Sequence, residues 1–141
     1  MFKNILAALK FGAASEFALV KAAELARLHG AALHVFHALD CYLKDLDTGS
    51  ETLDRTRWEA EKDFNERVRP LLGGLENVSF SCLPADPALE VCRMARGLKA
   101  DLIVLGCHQI PQKMCLGRVD YVGMTILEKA PCPVLLVPLC E

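Results

Sequence analysis

No Cys-x-x-Cys pair occurs among the seven cysteines of this chain (Cys41, Cys82, Cys92, Cys107, Cys115, Cys132 and Cys140). An odd, scattered set of this kind fits reduced, mostly buried thiols better than a zinc cluster or a disulfide scaffold. No segment reaches the roughly 18 apolar residues of a membrane span, and the start, Met1 to Leu9, has no secretory cleavage pattern. These two absences set the expectation of a cytoplasmic protein. Charge of one sign is not in excess: a net −2 with 24% charged residues does not advertise nucleic acid or anionic lipid as a partner. Internal repeats, low-complexity tracts and a nucleophile turn are missing as well, so no catalytic triad or phosphorelay is visible.

What is present is an ordinary globular composition, 52% hydrophobic over 141 residues, read as one domain over 1–141 and long enough to bury a sizeable core. Residues 85–106 are the most informative run. Asp86 can cap a helix whose first residue is Pro87, and Ala88, Val91, Cys92 and Ala95 recur on one helical face. Asp101 then opens a strand whose run Leu102 to Leu105 does not alternate, as in a parallel strand covered on both faces. Gly106 is expected just beyond that strand, where open α/β sheets place ligands.

The remaining elements alternate. Strands are predicted over Asn4 to Leu9, Ala31 to Ala38, Val78 to Leu83 and Val134 to Val137. Ser15 and Glu16 open a helix that Gly30 ends, and Leu53, Ala60, Phe64, Val68, Leu71 and Leu72 keep an apolar stripe through one long helix over 51–72. Loops are expected over 39–50 and from Gly106 to about Val119, with a last helix from Tyr121 to Lys129. Right-handed crossovers convert five strands and four helices into a doubly wound, flavodoxin-like or Rossmann-like parallel sheet of order 3-2-1-4-5.

Three runs, Ala85-Asp-Pro-Ala88, Ala100-Asp-Leu-Ile-Val-Leu-Gly106 and Ile126-Leu-Glu-Lys-Ala-Pro-Cys-Pro-Val-Leu-Leu-Val137, together resemble the universal stress protein family across nearly the whole chain. The resemblance implies a small cytoplasmic α/β domain that responds to stress or starvation and dimerises, often through its final strand. That places a homodimer on the edge strand Val134–Val137, with a further, unidentified protein partner. One branch of the family binds ATP through Gly-x2-Gly-x9-Gly followed by Ser or Thr, whose open backbone cradles phosphates at a helix N-terminus.

This chain keeps Gly106, but Gln109 holds the second glycine position, and Asp120 and Tyr121 hold the last glycine and the hydroxyl. Shifting the alignment to Gly117 brings Arg118 to the hydroxyl position instead. Lys10, a pure donor, stands where the ATP-binding branch carries an aspartate. A carboxylate at Asp120 sets like charge against phosphate. Gly106-Cys107-His108-Gln109 resembles instead the Gly-His-His-Gln run of the A type, which lacks the ATP signature. The resemblance thus implies a non-enzymatic dimer without a cofactor, around a degenerate crevice of Lys10, Ala38, Gly106, His108, Gln109, Gly117, Asp120, Tyr121 and Val122, where Lys10 can pair with Asp120.

Two other readings stay open. One is an ATP switch in a rearranged loop 106–118, with Gly106, Gly117, Lys113 and Arg118 on the phosphates. The other is a thiol or metal sensor at Cys107, His108 and Cys115, with His37 a fourth ligand. Trp58 falls off its helix's apolar stripe and marks either flank packing or a partner surface.

Overall fold

A computed structural model describes residues 1–41, 43, 50–108 and 121–139. Five strands, β1 (Asn4–Ala8), β2 (Ala32–Leu39), β3 (Val78–Pro84), β4 (Leu102–His108) and β5 (Val134–Leu139), form one sheet of order β3-β2-β1-β4-β5 with all pairs parallel. Four helices connect them: α1 (Ala13–His29), α2 (Glu51–Asp63), α3 (Pro87–Leu98) and α4 (Tyr121–Lys129). The expected α/β architecture and strand order are both present.

Strand residues alternate between two cores. Ile5, Ala7, Leu33, Val35 and Val104 join the α1 residues Ala18, Leu19, Ala22 and Ala26 on one face. Leu6, Phe36, Ile103 and Leu105 join Ala88, Val91, Cys92 and Ala95 of α3 and Ile126 of α4 on the other. A sheet covered on both faces needs apolar residues at every strand position, hence the unbroken Leu102–Leu105 run.

Local boundaries follow backbone chemistry. The Asp86 side chain accepts the Leu89 N–H at 3.1 Å with Pro87 in the first turn, as the sequence predicts. Gly30 ends α1 at φ +65°. Three expectations change. Helix α1 begins at Ala13, so Ser15 lies inside its first turn. Strand β4 runs to His108, so Gly106 is within the strand and in register with Val137, not beyond its end. The single long helix over 51–72 is also broken: α2 stops at Asp63, a π-turn spans Phe64–Val68 and a 3-10 turn spans Arg69–Leu72.

That break has a geometric cause. Ala60, Phe64, Val68 and Leu72 are all buried and spaced by four. In a straight α-helix a four-residue step advances about 400°, so the apolar side drifts by about 40° per step. Widening one turn to π geometry cancels the drift. Phe64 can then stack on Phe80 of β3 with centroids 4.4 Å apart and planes 10° from parallel. Arg27 closes the segment, its guanidinium donating to the carbonyls of Leu72 (2.8 Å) and Gly73 (3.3 Å).

Asp101 ties the start of β1 to the start of β4 by accepting the N–H groups of Lys3 (2.8 Å) and Asn4 (3.0 Å). Burial alone raises its pKa, but these donors, its own amide and the N-terminal ammonium outweigh that and hold the carboxyl below its ordinary value. A carboxyl with a depressed folded pKa stabilises the fold above the unfolded value, about 3.9, and that contribution fades as pH falls through the folded value. We expect Asp101→Ala to cost about 1 kcal/mol at pH 7 in urea unfolding, with the gap to the parent closing in acid below about pH 3.9. A gap that persists unchanged in acid would assign the loss to something other than the carboxylate.

Candidate functional site

In an open parallel sheet the crevice forms where neighbouring strands send their connections to opposite faces. Here that point lies between β1, which leads into α1, and β4, which leads toward α4. Its lip is the link Leu9–Gly12. The Leu9 N–H extends the sheet by donating to the Phe36 carbonyl at 2.8 Å. Phe11 then turns left-handed at φ +51°, a conformation that costs a bulky residue energy and persists only where surrounding contacts hold it.

Those contacts come from Ser15 and His37. The Ser15 hydroxyl accepts the Lys10 N–H at 3.1 Å and donates to the Gly12 carbonyl at 3.3 Å, clasping the link from inside the first turn of α1. His37 Nδ1 lies 2.7 Å from the Leu9 carbonyl. A carbonyl only accepts, so Nδ1 carries the proton and, in the neutral ring, Nε2 keeps its lone pair. The Phe11 ring meets His37 edge-on, with centroids 4.7 Å apart and planes at 73°. The half-buried Phe11 and His37 therefore occupy the carboxyl ends of β1 and β2, and Lys10 is exposed beside them.

Gly106 has a packing role that its sequence position did not reveal. A Cβ there would stand 2.4 Å from the Ala14 carbonyl oxygen, 2.6 Å from its carbon and 2.9 Å from Ser15 Cα. All three are backbone atoms of the first turn of α1, so none can swing aside. The turn that carries the Ser15 clasp thus rests directly on β4.

The other predicted residues are spread around this lip. Cys107 and His108 follow Gly106 in β4, and Cys107 is half-buried. Ala38 and Val122 pack against the α3-side core, whereas Tyr121, first residue of α4, is 77% exposed. Gln109, Lys113, Cys115, Gly117, Arg118 and Asp120 lie outside the described residues, and with them the proposed Lys10–Asp120 pair and most of loop 106–118. Among the described residues no three His, Cys, Asp or Glu side chains are grouped as metal ligands.

Three thiols are held protonated at neutral pH. Burial, with Glu61 adding and Arg57 opposing, pushes Cys82 up to about 11. Burial also raises Cys92 and Cys132. Such thiols are poor nucleophiles.

Missed by sequence reasoning were the Ser15 clasp, the left-handed Phe11 and the His37 bond to Leu9. The available signal was a serine two residues into a helix with no partner of its own, directly after an apolar strand.

Gly106→Ala is expected to lower unfolding stability by about 2 kcal/mol, since overfilled sites cost in the range of 1–3 kcal/mol. Equilibrium denaturation reads this directly, and parental stability would show that α1 is free to move off the strand. The same clash means that loss of a ligand in a Gly106 variant does not separate binding from folding.

Comparison with known proteins agrees with this fold. The profile of the universal stress protein family matches residues 1–138. A universal stress protein in the QAH/OAS sulfhydrylase 3′ region of Thermus aquaticus is 34% identical over 141 residues, covering 97% of this chain and 99% of that one. Among solved structures, the universal stress protein UspA from Lactobacillus plantarum superposes with TM-score 0.74 at 22% identity, covering 96% of this chain and 97% of that one. The universal stress protein from Archaeoglobus fulgidus in complex with dAMP gives 0.69 at 23% identity, covering 95% and 96% respectively. At those identities the superpositions speak for the fold, while the profile and the Thermus relative carry the assignment: the chain belongs to the universal stress protein family.

Proposed function

We propose that this chain is a cytoplasmic, non-enzymatic universal stress protein of the A type, a homodimer that works through protein contacts and does not use ATP. The observation that supports this most is the closed lip. The His37 Nδ1–H and the Leu9 carbonyl satisfy each other, Phe11 packs against the ring, and the adjoining side chain is the donor-only Lys10. A purine seated at the ends of β1 and β2 would have to displace an aromatic pair and break a hydrogen bond. The broken glycine pattern adds to this from the phosphate side, where the sequence places Gln109, Asp120 and Tyr121.

A second reading, a nucleoside monophosphate ligand, is favoured by the dAMP complex of the Archaeoglobus fulgidus neighbour. A single phosphate needs no triphosphate cradle, so the lost glycines weigh less against it. Calorimetric titration with Mg-ATP and, separately, with AMP and dAMP tests both readings. We expect no saturable ATP binding up to millimolar concentration. Micromolar ATP affinity would overturn the first reading, and saturation by AMP or dAMP alone would establish the second.

For the dimer we assign the interface to β5. The strand is at the sheet edge, carries no charge, holds Pro138, a residue that sheets confine largely to their edges, and presents Leu135 at 37% exposure. Antiparallel pairing with its copy covers that edge symmetrically. Leu135→Lys is expected to elute from a sizing column with light-scattering detection as monomer or aggregate. An unchanged dimer would place the interface elsewhere.

A further inference from the structure

Helix α2 gives the core only Leu53 and Ala60, and its outer face carries Trp58, which is 58% exposed. This is the only tryptophan of the chain. Tryptophan is enriched among the residues that anchor protein interfaces. Trp58 lines an open concavity of about 340 Å³ with Glu61, Lys62, Asn65 and Glu66. The π-turn supplies the last two, and Lys62 holds its ammonium 5.1 Å from the Trp58 ring centroid.

The charge around this ring is one-sided. Residues 51–66 contain six acidic and three basic side chains, a net −3 against −2 for the whole chain. One of the three basic residues, Arg57, turns its Nε into the protein. The next basic residues along the chain are engaged elsewhere: Arg67 pairs with Glu16 at 3.4 Å, and Arg69 donates to Asn65 Oδ1 at 3.0 Å with its guanidinium over Phe64. Glu61 and Glu66 form no ion pair among the described residues. An indole face bordered by two carboxylates is a receptor for a cation, and a guanidinium matches it better than an ammonium because it stacks flat and hydrogen-bonds sideways.

Resting on the reading that this protein acts through protein contacts, we infer that the outer face of α2 docks a basic, arginine-bearing segment of a partner protein. Its guanidinium takes the place of Lys62 on Trp58, and Glu61 and Glu66 receive its N–H groups. Lys62 holds the ring in the free protein and is the group displaced.

Because Trp58 is the sole tryptophan, its emission reports occupancy of this face directly. The full-length protein is titrated with hexa-arginine amide, with hexalysine and hexaglutamate as comparisons, at low and at physiological ionic strength. The expected result is a saturable emission change, tighter for arginine than for lysine and absent for glutamate. The double variant Glu61→Gln/Glu66→Gln weakens it at least tenfold, and Glu76→Gln/Glu128→Gln, at exposed acids on other surfaces, leaves it unchanged. Calorimetry on Trp58→Ala, which has lost the reporter, should show a comparable loss, with circular dichroism confirming the fold of each variant.

No saturable change with hexa-arginine, or equal weakening by both glutamine pairs, overturns the proposal in favour of unspecific charge attraction. A Trp58→Ala protein that changes oligomeric mass overturns it in favour of a second copy on this face. Neither outcome bears on β5 pairing or on ATP, which are read by separate measurements.

Discussion

Helix α1 lies so close to β4 that no side chain fits at position 106, and the arrangement of the crevice follows from that one approach. The Ala14 carbonyl oxygen stands 2.4 Å from where a Cβ would be, which fixes the height of the first turn above the sheet. From that height the Ser15 hydroxyl reaches both the Lys10 amide and the Gly12 carbonyl, and the link between β1 and α1 has little freedom left. The left-handed Phe11 is tolerated because both of its ends are pinned. Gly106 is thus a load shared between two elements in contact, and any ligand in this crevice meets a lip that is already ordered.

The exposed residues of the crevice mouth contribute little to the packed layers. The two apolar layers draw on α1, α3, α4 and the strand interiors; of the described crevice residues, Ala38 and Val122 border the α3-side layer, and the lip residues Leu9 and Phe11 belong to or border the α1-side layer. Lys10 is exposed, and Tyr121 stands at a helix start in solvent. Stability therefore places little constraint on exposed positions such as Lys10 and Tyr121, since exposed substitutions away from packed features cost little, whereas Gly106 and Phe11 are fixed by packing. Fold membership by itself therefore does not name a ligand.

Legibility differed by the range of the interaction involved. The run from Asp86 to Gly106 announced its cap, helix face and buried strand correctly because each depends on neighbours within four or five residues or on simple periodicity. The end of α3 was less visible: Lys99, not a glycine, takes the left-handed position at φ +54°, so the usual marker is missing. At the crevice lip Gly12 is the obvious candidate for positive φ, yet it is extended at −150° and its neighbour Phe11 carries the turn. The requirement for glycine at 106 could not be read at all, because it depends on the approach of a helix more than ninety residues earlier in the chain. The sequence offers His37 as a metal ligand, but its bond to the Leu9 backbone carbonyl depends on strand register, which sequence does not display.

The segment that begins with helix α2 keeps a packed side and an outward side apart. Four buried residues spaced by four lie on the inward side of a segment that includes the widened turn, and Trp58, Glu61, Lys62, Asn65 and Glu66, spaced i, i+3, i+4, i+7 and i+8, share its outward side. A straight helix with the usual mix of three- and four-residue steps would not need that turn. Phe64 stacks on Phe80 inside the protein while Trp58 stays exposed outside it, so the two aromatics belong to opposite sides of one segment. Because the inward side is fully committed to Phe64, Val68 and Leu72, substitutions on the outward side can alter charge without disturbing the core. That separation lets α2 carry an acidic aromatic face at almost no cost to the fold.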